Sequence, residues 1–223
     1  MFRSRRLVVF GASSLALVEP KTLIQADLRS PVKRDDLALL VGTPTGTVLI
    51  LDGVFGSSLA VTPSECRRLI EAGWMVVGAS SMGALRASEL WSCGMIGLGT
   101  IYNYLRVGQI QRDSDVAVVL DPRTFREITL SIVHISSALA TAEKAGLITA
   151  AKARVLLLAA RMIYWAERDW AECKSRFARA NIAEDVIRFI EQELVDPGSN
   201  PKVRDGLLAV RTVLARRWTE ART

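Results

Sequence analysis

Small residues crowd one segment of this sequence, Trp74–Trp91, which reads WMVVGASSMGALRASELW. An apolar run ends in Gly78-Ala79-Ser80-Ser81-Met82-Gly83-Ala84, and a helical pattern follows. A serine on a tight strand-to-helix turn needs small neighbours, because the backbone bends sharply and packs closely there. Such a turn exposes the hydroxyl and places backbone N–H groups at a helix N-terminus, where they can bind a developing oxyanion. This is the logic of a nucleophile elbow, and it nominates Ser81 as a nucleophile. Gly83 fits the later glycine position of an elbow, and Ala79 stands at the earlier one. The same turn would also suit phosphate binding or plain close packing.

A second apolar run, Thr47–Leu51, ends in Asp52-Gly53-Val54-Phe55-Gly56. Glycine at such a point lets the chain approach a ligand closely and lends an N–H group. Two consecutive parallel strands ending in glycine-bearing turns would share one sheet edge, the edge outside which open α/β sheets bind ligands. Asp52 is then either a base or a turn carboxylate. Ser14, at the end of the first apolar run, belongs to the same edge. Arg86 and Glu89 lie three apart on the helix after Ser81 and suit an ion pair, although a guanidinium also grips carboxylates. Asp113 and Asp115 could hold that arginine or a cation.

The elements that must position these residues follow from hydrophobic periodicity. Leu7–Phe10, Thr47–Leu51, Trp74–Gly78 and Val116–Leu120 are short apolar runs bounded by Gly, Asp or Pro, the pattern of parallel strands covered on both faces. Asp35–Leu40 reads as helical. Thr62-Pro63-Ser64-Glu65 reads as a capping box with proline at the first helical position, and Gly73 ends that helix. After Pro122 no strand is expected. Helical spacing marks Ile128–Ala145, Thr149–Phe177, Ala183–Val195 and Lys202–Glu220. The expected fold is α/β: a small parallel sheet with flanking helices, either Clp protease/crotonase-like or flavodoxin-like, over residues 1–122. A helical region over 123–223 is expected to pack on it.

Composition narrows the class. The chain has 223 residues, half of them hydrophobic, enough for a core without disulfides. Cys66, Cys93 and Cys173 form no C-x-x-C pair, and the single histidine, His134, has no cysteine nearby. A zinc site is therefore not expected, no metal or other cofactor is indicated, and the thiols suit a reducing, cytoplasmic setting. The basic N-terminus precedes an apolar run that breaks at Gly11, so a buried strand is expected there rather than a signal peptide. No apolar stretch is long enough to span a bilayer. The net charge of +6 favours acidic partners. Without an aromatic-interleaved basic patch, nucleic acid is not among them.

The order of strand, glycine turn, helix, strand, A-S-S-M-G-A and helix resembles the core of Clp-type serine proteases over about 40 residues. That resemblance implies Ser81 as nucleophile, with the N–H groups of Met82 and Gly53 facing the oxyanion. A longer stretch, LDGVFG, GASSMGALRASEL, CGMIGLGTIYNYLRVG and DSDVAVV in this order, resembles the TfuA-like family over roughly Thr47–Leu120. Upstream, VVFGASSL and SPVKRDDL resemble further family segments, with departures at Ala12, Ser30 and Asp35. The resemblance implies work beside a YcaO-type enzyme, which activates a peptide amide for thioamide formation. The TfuA-like partner would hydrolyse a thiocarboxylated ubiquitin-like sulfur carrier, and Arg86 would hold a carboxylate of the carrier tail. Histidines usual in the family are absent, with Leu120-Asp121 and Thr62-Pro63-Ser64 in their places. The base for Ser81 is therefore open among His134, Asp52, Asp115 and Glu89. A non-catalytic adaptor is the alternative reading.

Overall fold

The structure is a computed structural model and describes residues 6–56 and 59–220. It divides into two compact units, Met1–Ile110 with Lys202–Thr223, and Gln111–Pro201. The first holds a five-stranded sheet. β1 (Arg6–Phe10), β2 (Asp27–Arg29), β3 (Gly46–Ile50), β4 (Met75–Gly78) and β5 (Ile96–Gly97) are all parallel, in the order β2-β1-β3-β4-β5. This is the strand order of flavodoxin-like sheets, and the chain reverses direction across the sheet between β1 and β3.

Three helices follow the strands of this unit: α1 (Pro63–Glu71), α2 (Met82–Leu90) and α3 (Thr100–Arg106). α1 starts where its capping box predicts. Thr62 Oγ1 accepts from the Glu65 N–H, and the Glu65 carboxylate accepts from the Thr62 N–H. Gly73, at φ +87°, turns the chain into β4. The second unit carries α4 (Ile132–Lys144), α5 (Ala150–Arg161), α6 (Trp170–Ala178) and α7 (Glu184–Val195). The last helix, α8 (Pro201–Glu220), returns to the first unit.

Alternation along the central strands separates two apolar layers, as a sheet buried on both faces requires. Val8, Phe10, Val48, Ile50 and Val76 pack with Cys66 and Leu69 of α1 and with Leu85 and Leu90 of α2. Leu7, Val9, Leu49, Leu51 and Val77 face the other way, against Ala209, Val210 and Val213 of α8. The second unit has its own core, built from Ile135, Leu139, Leu156, Phe177 and Ile190 among others.

Four expectations need correction. Val116–Leu120 is not a strand. Asp113–Asp115 forms a 3-10 turn, Val116, Ala117 and Val118 are buried, and only Leu120 bridges, antiparallel, to Glu127. A short buried apolar run reads the same whether or not it finds a ladder. Thr149–Phe177 is two helices, because Asp169 caps a new one by accepting from the Glu172 N–H. The helical turn in Asp35–Leu40 shrinks to a 3-10 turn over Ala38–Leu40, after Asp35 at φ +71°. The sheet also gains two unforeseen short edge strands, β2 and β5. β2 is held by ion pairs from Arg6 and Arg29 to Asp27, and the Arg29 hydrogen bond keeps that carboxyl below the usual carboxylate range.

Candidate active site

The turns after β1, β3 and β4 meet at one edge of the sheet. The turn after β3 begins with Asp52, which is buried. Its Oδ2 accepts from the N–H groups of Ala12 (2.8 Å) and Ser14 (3.0 Å), and its Oδ1 accepts from Ser14 Oγ (2.5 Å). One carboxylate therefore holds the β1 turn closed across the point where strand order reverses, the place where open α/β sheets form their ligand crevice. Ser14 Oγ also contacts Ser80 Oγ. With the Ser14 hydrogen directed to Asp52, which as a carboxylate can only accept, Ser80 must donate to Ser14. The result is a chain of hydroxyls, Ser80 to Ser14 to Asp52, running from the β4 turn through the β1 turn to the β3 turn.

The β4 turn is tight for a visible reason. A Cβ on Gly78 would lie 2.1 Å from the Gly83 carbonyl oxygen, and one on Gly83 would lie 1.8 Å from the Ile50 carbonyl oxygen. Two glycines thus let the start of α2 rest directly on β3 and β4. The Leu51 carbonyl accepts from both the Ser81 N–H (3.2 Å) and the Gly83 N–H (3.3 Å), which fixes the turn to the neighbouring strand. The residue left to absorb the bend is Ser80, at φ +67°. A non-glycine residue in that region costs about 1–3 kcal/mol, and such strain collects at functional sites. Ser81 follows as the N-cap of α2, at φ −110°.

Gly53 touches the start of the same helix, since a Cβ there would lie 2.7 Å from Met82 Cγ. The N–H groups of Gly53 and Met82 make no hydrogen bond among the described residues. The first N–H groups of a helix carry its positive end. Two donors are therefore open beside the serine turn. Arg86 is largely buried on α2. Its Nε donates to the Val61 carbonyl (2.8 Å), and its Nη1 donates to both oxygens of Glu89 (2.9 and 2.8 Å). Asp115 belongs to the second unit, where Arg161 donates to it at 3.0 Å. His134 lies on α4, in that unit too.

A family model of TfuA-like proteins matches residues 52–169, more than half of the chain. The chain belongs to the TfuA-like family. No curated protein matches it. The matched stretch of this TfuA-like protein opens on Asp52 and includes Ser80 and Ser81, whereas Ser14 lies upstream of it. Sequence reasoning brought Ser14, Asp52, Gly53, Ser81 and Met82 to one edge and passed over Ser80. Gly-Ala-Ser-Ser occurs twice, at Gly11–Ser14 and Gly78–Ser81, each time as an apolar strand ends, but the repeat sets Ser14 level with Ser81 rather than with Ser80. Among the described residues no cluster of three or more His, Cys, Asp or Glu could hold a metal ion. No described helix is long and apolar enough to cross a membrane.

Proposed function

We propose that this TfuA-like protein hydrolyses the thiocarboxylated C-terminus of a ubiquitin-like sulfur carrier and passes sulfide to a YcaO-type enzyme that builds peptide thioamides. The observation that carries this reading is the convergence at one sheet edge of a strained serine turn, a buried carboxylate and two open N–H donors. A serine oxygen attacks the thiocarboxylate carbon, and the C–S bond breaks as sulfide leaves with one proton. The acyl-serine is then opened by water to give the carrier carboxylate. The Gly53 and Met82 N–H groups are the donors for the oxyanion that forms on the way. The elbow pattern of the sequence nominates Ser81 for that oxygen, with Ser80 beside it on the same turn. Arg86 keeps Nη2 for a carboxylate of the carrier tail, with Glu89 holding the guanidinium in place.

The test is sulfide release from a thiocarboxylated carrier by the wild type and by the double variant Ser80→Ala/Ser81→Ala. Release by the wild type that the double variant loses, with thermal unfolding unchanged, supports the reading. Equal release by both proteins refutes serine chemistry. A second reading, a non-catalytic adaptor that docks the YcaO-type enzyme and the carrier, draws on the burial of both serines, Ser80 at 0% and Ser81 at 2% exposure. The adaptor predicts that inorganic sulfide never substitutes for the protein in thioamide formation, whereas the hydrolase predicts that it does.

A further inference from the structure

We propose that the bond-forming serine is Ser80, and that Asp52 takes its proton through Ser14. This rests on the hydrolase reading above and names the nucleophile and base within it. Three observations converge on Ser80. It is the residue in the left-handed region on the strand-to-helix turn, at φ +67°. Its hydroxyl is hydrogen-bonded to a second hydroxyl, which donates in turn to a carboxylate. And that carboxylate is held by two backbone N–H groups, so its position is set before any substrate arrives.

The relay replaces the histidine of a serine triad with a serine. In a triad the base touches the nucleophile and is oriented by a third group, and the roles are recognised by geometry rather than by residue type. Here Ser14 touches Ser80, and Asp52 orients Ser14. As Ser80 Oγ attacks the thiocarboxylate carbon, its proton moves to Ser14 Oγ while the Ser14 proton moves to Asp52 Oδ1. The C–S bond then breaks, Ser14 Oγ gives its proton to the departing sulfur while Asp52 returns one to Ser14, and hydrosulfide leaves. Water opens the ester, giving the carrier carboxylate and one released proton, and the Ser80 hydroxyl is restored. No histidine is required, in keeping with a site whose three polar partners are serine, serine and aspartate. Ser80 touches the substrate carbon; Ser14 and Asp52 are positioning and proton-holding residues acting through it.

The experiment uses the full chain with a thiocarboxylated carrier protein. Ser80→Cys and Ser81→Cys are each mixed with the carrier, quenched in acid, and digested. Fragmentation of the peptide spanning residues 69–86 locates any acyl thioester. We expect acylation of the Ser80→Cys protein at position 80 and none at position 81 of the Ser81→Cys protein. Asp52→Asn should lower kcat for sulfide release by about 100-fold or more, the scale of a lost acid–base group, with KM unchanged. Acylation at position 81 alone would overturn this inference and leave the hydrolase reading standing. Acylation at neither position, with the wild type still releasing sulfide, would overturn it in favour of direct water attack. No release by folded wild type would remove the hydrolase reading beneath it. An Asp52→Asn protein that keeps its kcat would overturn the relay.

Discussion

Replacing Gly83 by alanine sets two effects of opposite sign against each other. On helix propensity alone the change stabilises α2, by about 1 kcal/mol. The structure predicts the reverse. The new Cβ would lie 1.8 Å from the Ile50 carbonyl oxygen and 2.6 Å from its carbon, both in the backbone of the central strand β3. Neither atom can swing aside as a side chain would. Restoring ordinary contact requires α2 to retreat by about 1.5 Å. That movement lengthens the 3.2 and 3.3 Å hydrogen bonds from the Ser81 and Gly83 N–H groups to the Leu51 carbonyl beyond useful range. Two such bonds contribute about 1 kcal/mol each, and overpacking adds about 1–3 kcal/mol. Offset by the propensity gain, Gly83→Ala should lose about 2–4 kcal/mol. Urea unfolding followed by circular dichroism measures this directly. A variant as stable as the wild type, or more stable, would show that α2 does not rest on β3 in this way. The geometry of the serine turn argued from that contact would then fall with it.

Three further predictions concern other parts of the molecule. Asp205 of α8 is buried and accepts from the N–H groups of Thr100 (2.9 Å) and Ile101 (2.8 Å), and burial pushes its pKa up. The folded state then holds that proton more tightly than the unfolded one, so stability declines as pH rises through the interval above the ordinary carboxylate range. Asp205→Asn should lack this decline in urea titrations between about pH 4 and 7, and parallel curves for the two proteins would refute it. Burial pushes the Cys66 and Cys173 thiols each up to about 12, while Cys93 is exposed. Thiol reagents at mildly alkaline pH should therefore modify one cysteine in the native protein and three after denaturation; rapid loss of a second native thiol would contradict the packing. Thr62→Ala should cost about 1 kcal/mol by removing half of the α1 capping box, with Thr62→Ser recovering most of it; equal stability of all three proteins would exclude the cap.

What the sequence made legible was whatever a local pattern encodes. β1, β3 and β4 were readable because each is an apolar, β-branched run ended by Gly or Asp, and α1 because Thr62, Pro63 and Glu65 state its beginning. β2 and β5 were not, because three and two residues carry no period, and they are strands only by virtue of the neighbour that pairs with them. Val116–Leu120 has a strand's composition in a unit with no sheet to join. The break between α5 and α6 was hidden because apolar spacing continues across it, while Arg168, buried among the carbonyls of Ser114, Leu130 and Ile163, holds the chain off the helical path. At the site, glycine positions announced the close approaches. The assignment of strain to Ser80 rather than Ser81 was out of reach, because it depends on how the Ile50 and Leu51 carbonyls pin Ala79 and Ser81 on either side of it.

Gly206 adds a consequence for how this protein comes to exist in a cell. A Cβ there would lie 2.2 Å from the Ser14 carbonyl oxygen, so α8 lies directly against the turn that carries Ser14. Its neighbour Asp205 caps α3. The sheet thus receives one of its two covering layers from residues that leave the ribosome after all the others described here. During synthesis the Leu7, Val9 and Leu49 face, packed early only by the segment that carries Leu15, Val18 and Leu23, must wait for α8 while the whole of Gln111–Pro201 is made. That interval is when a nascent chain is most exposed to aggregation and to chaperones. It also orders events: α8 comes to rest on the Ser14 turn only once translation has passed Gly206.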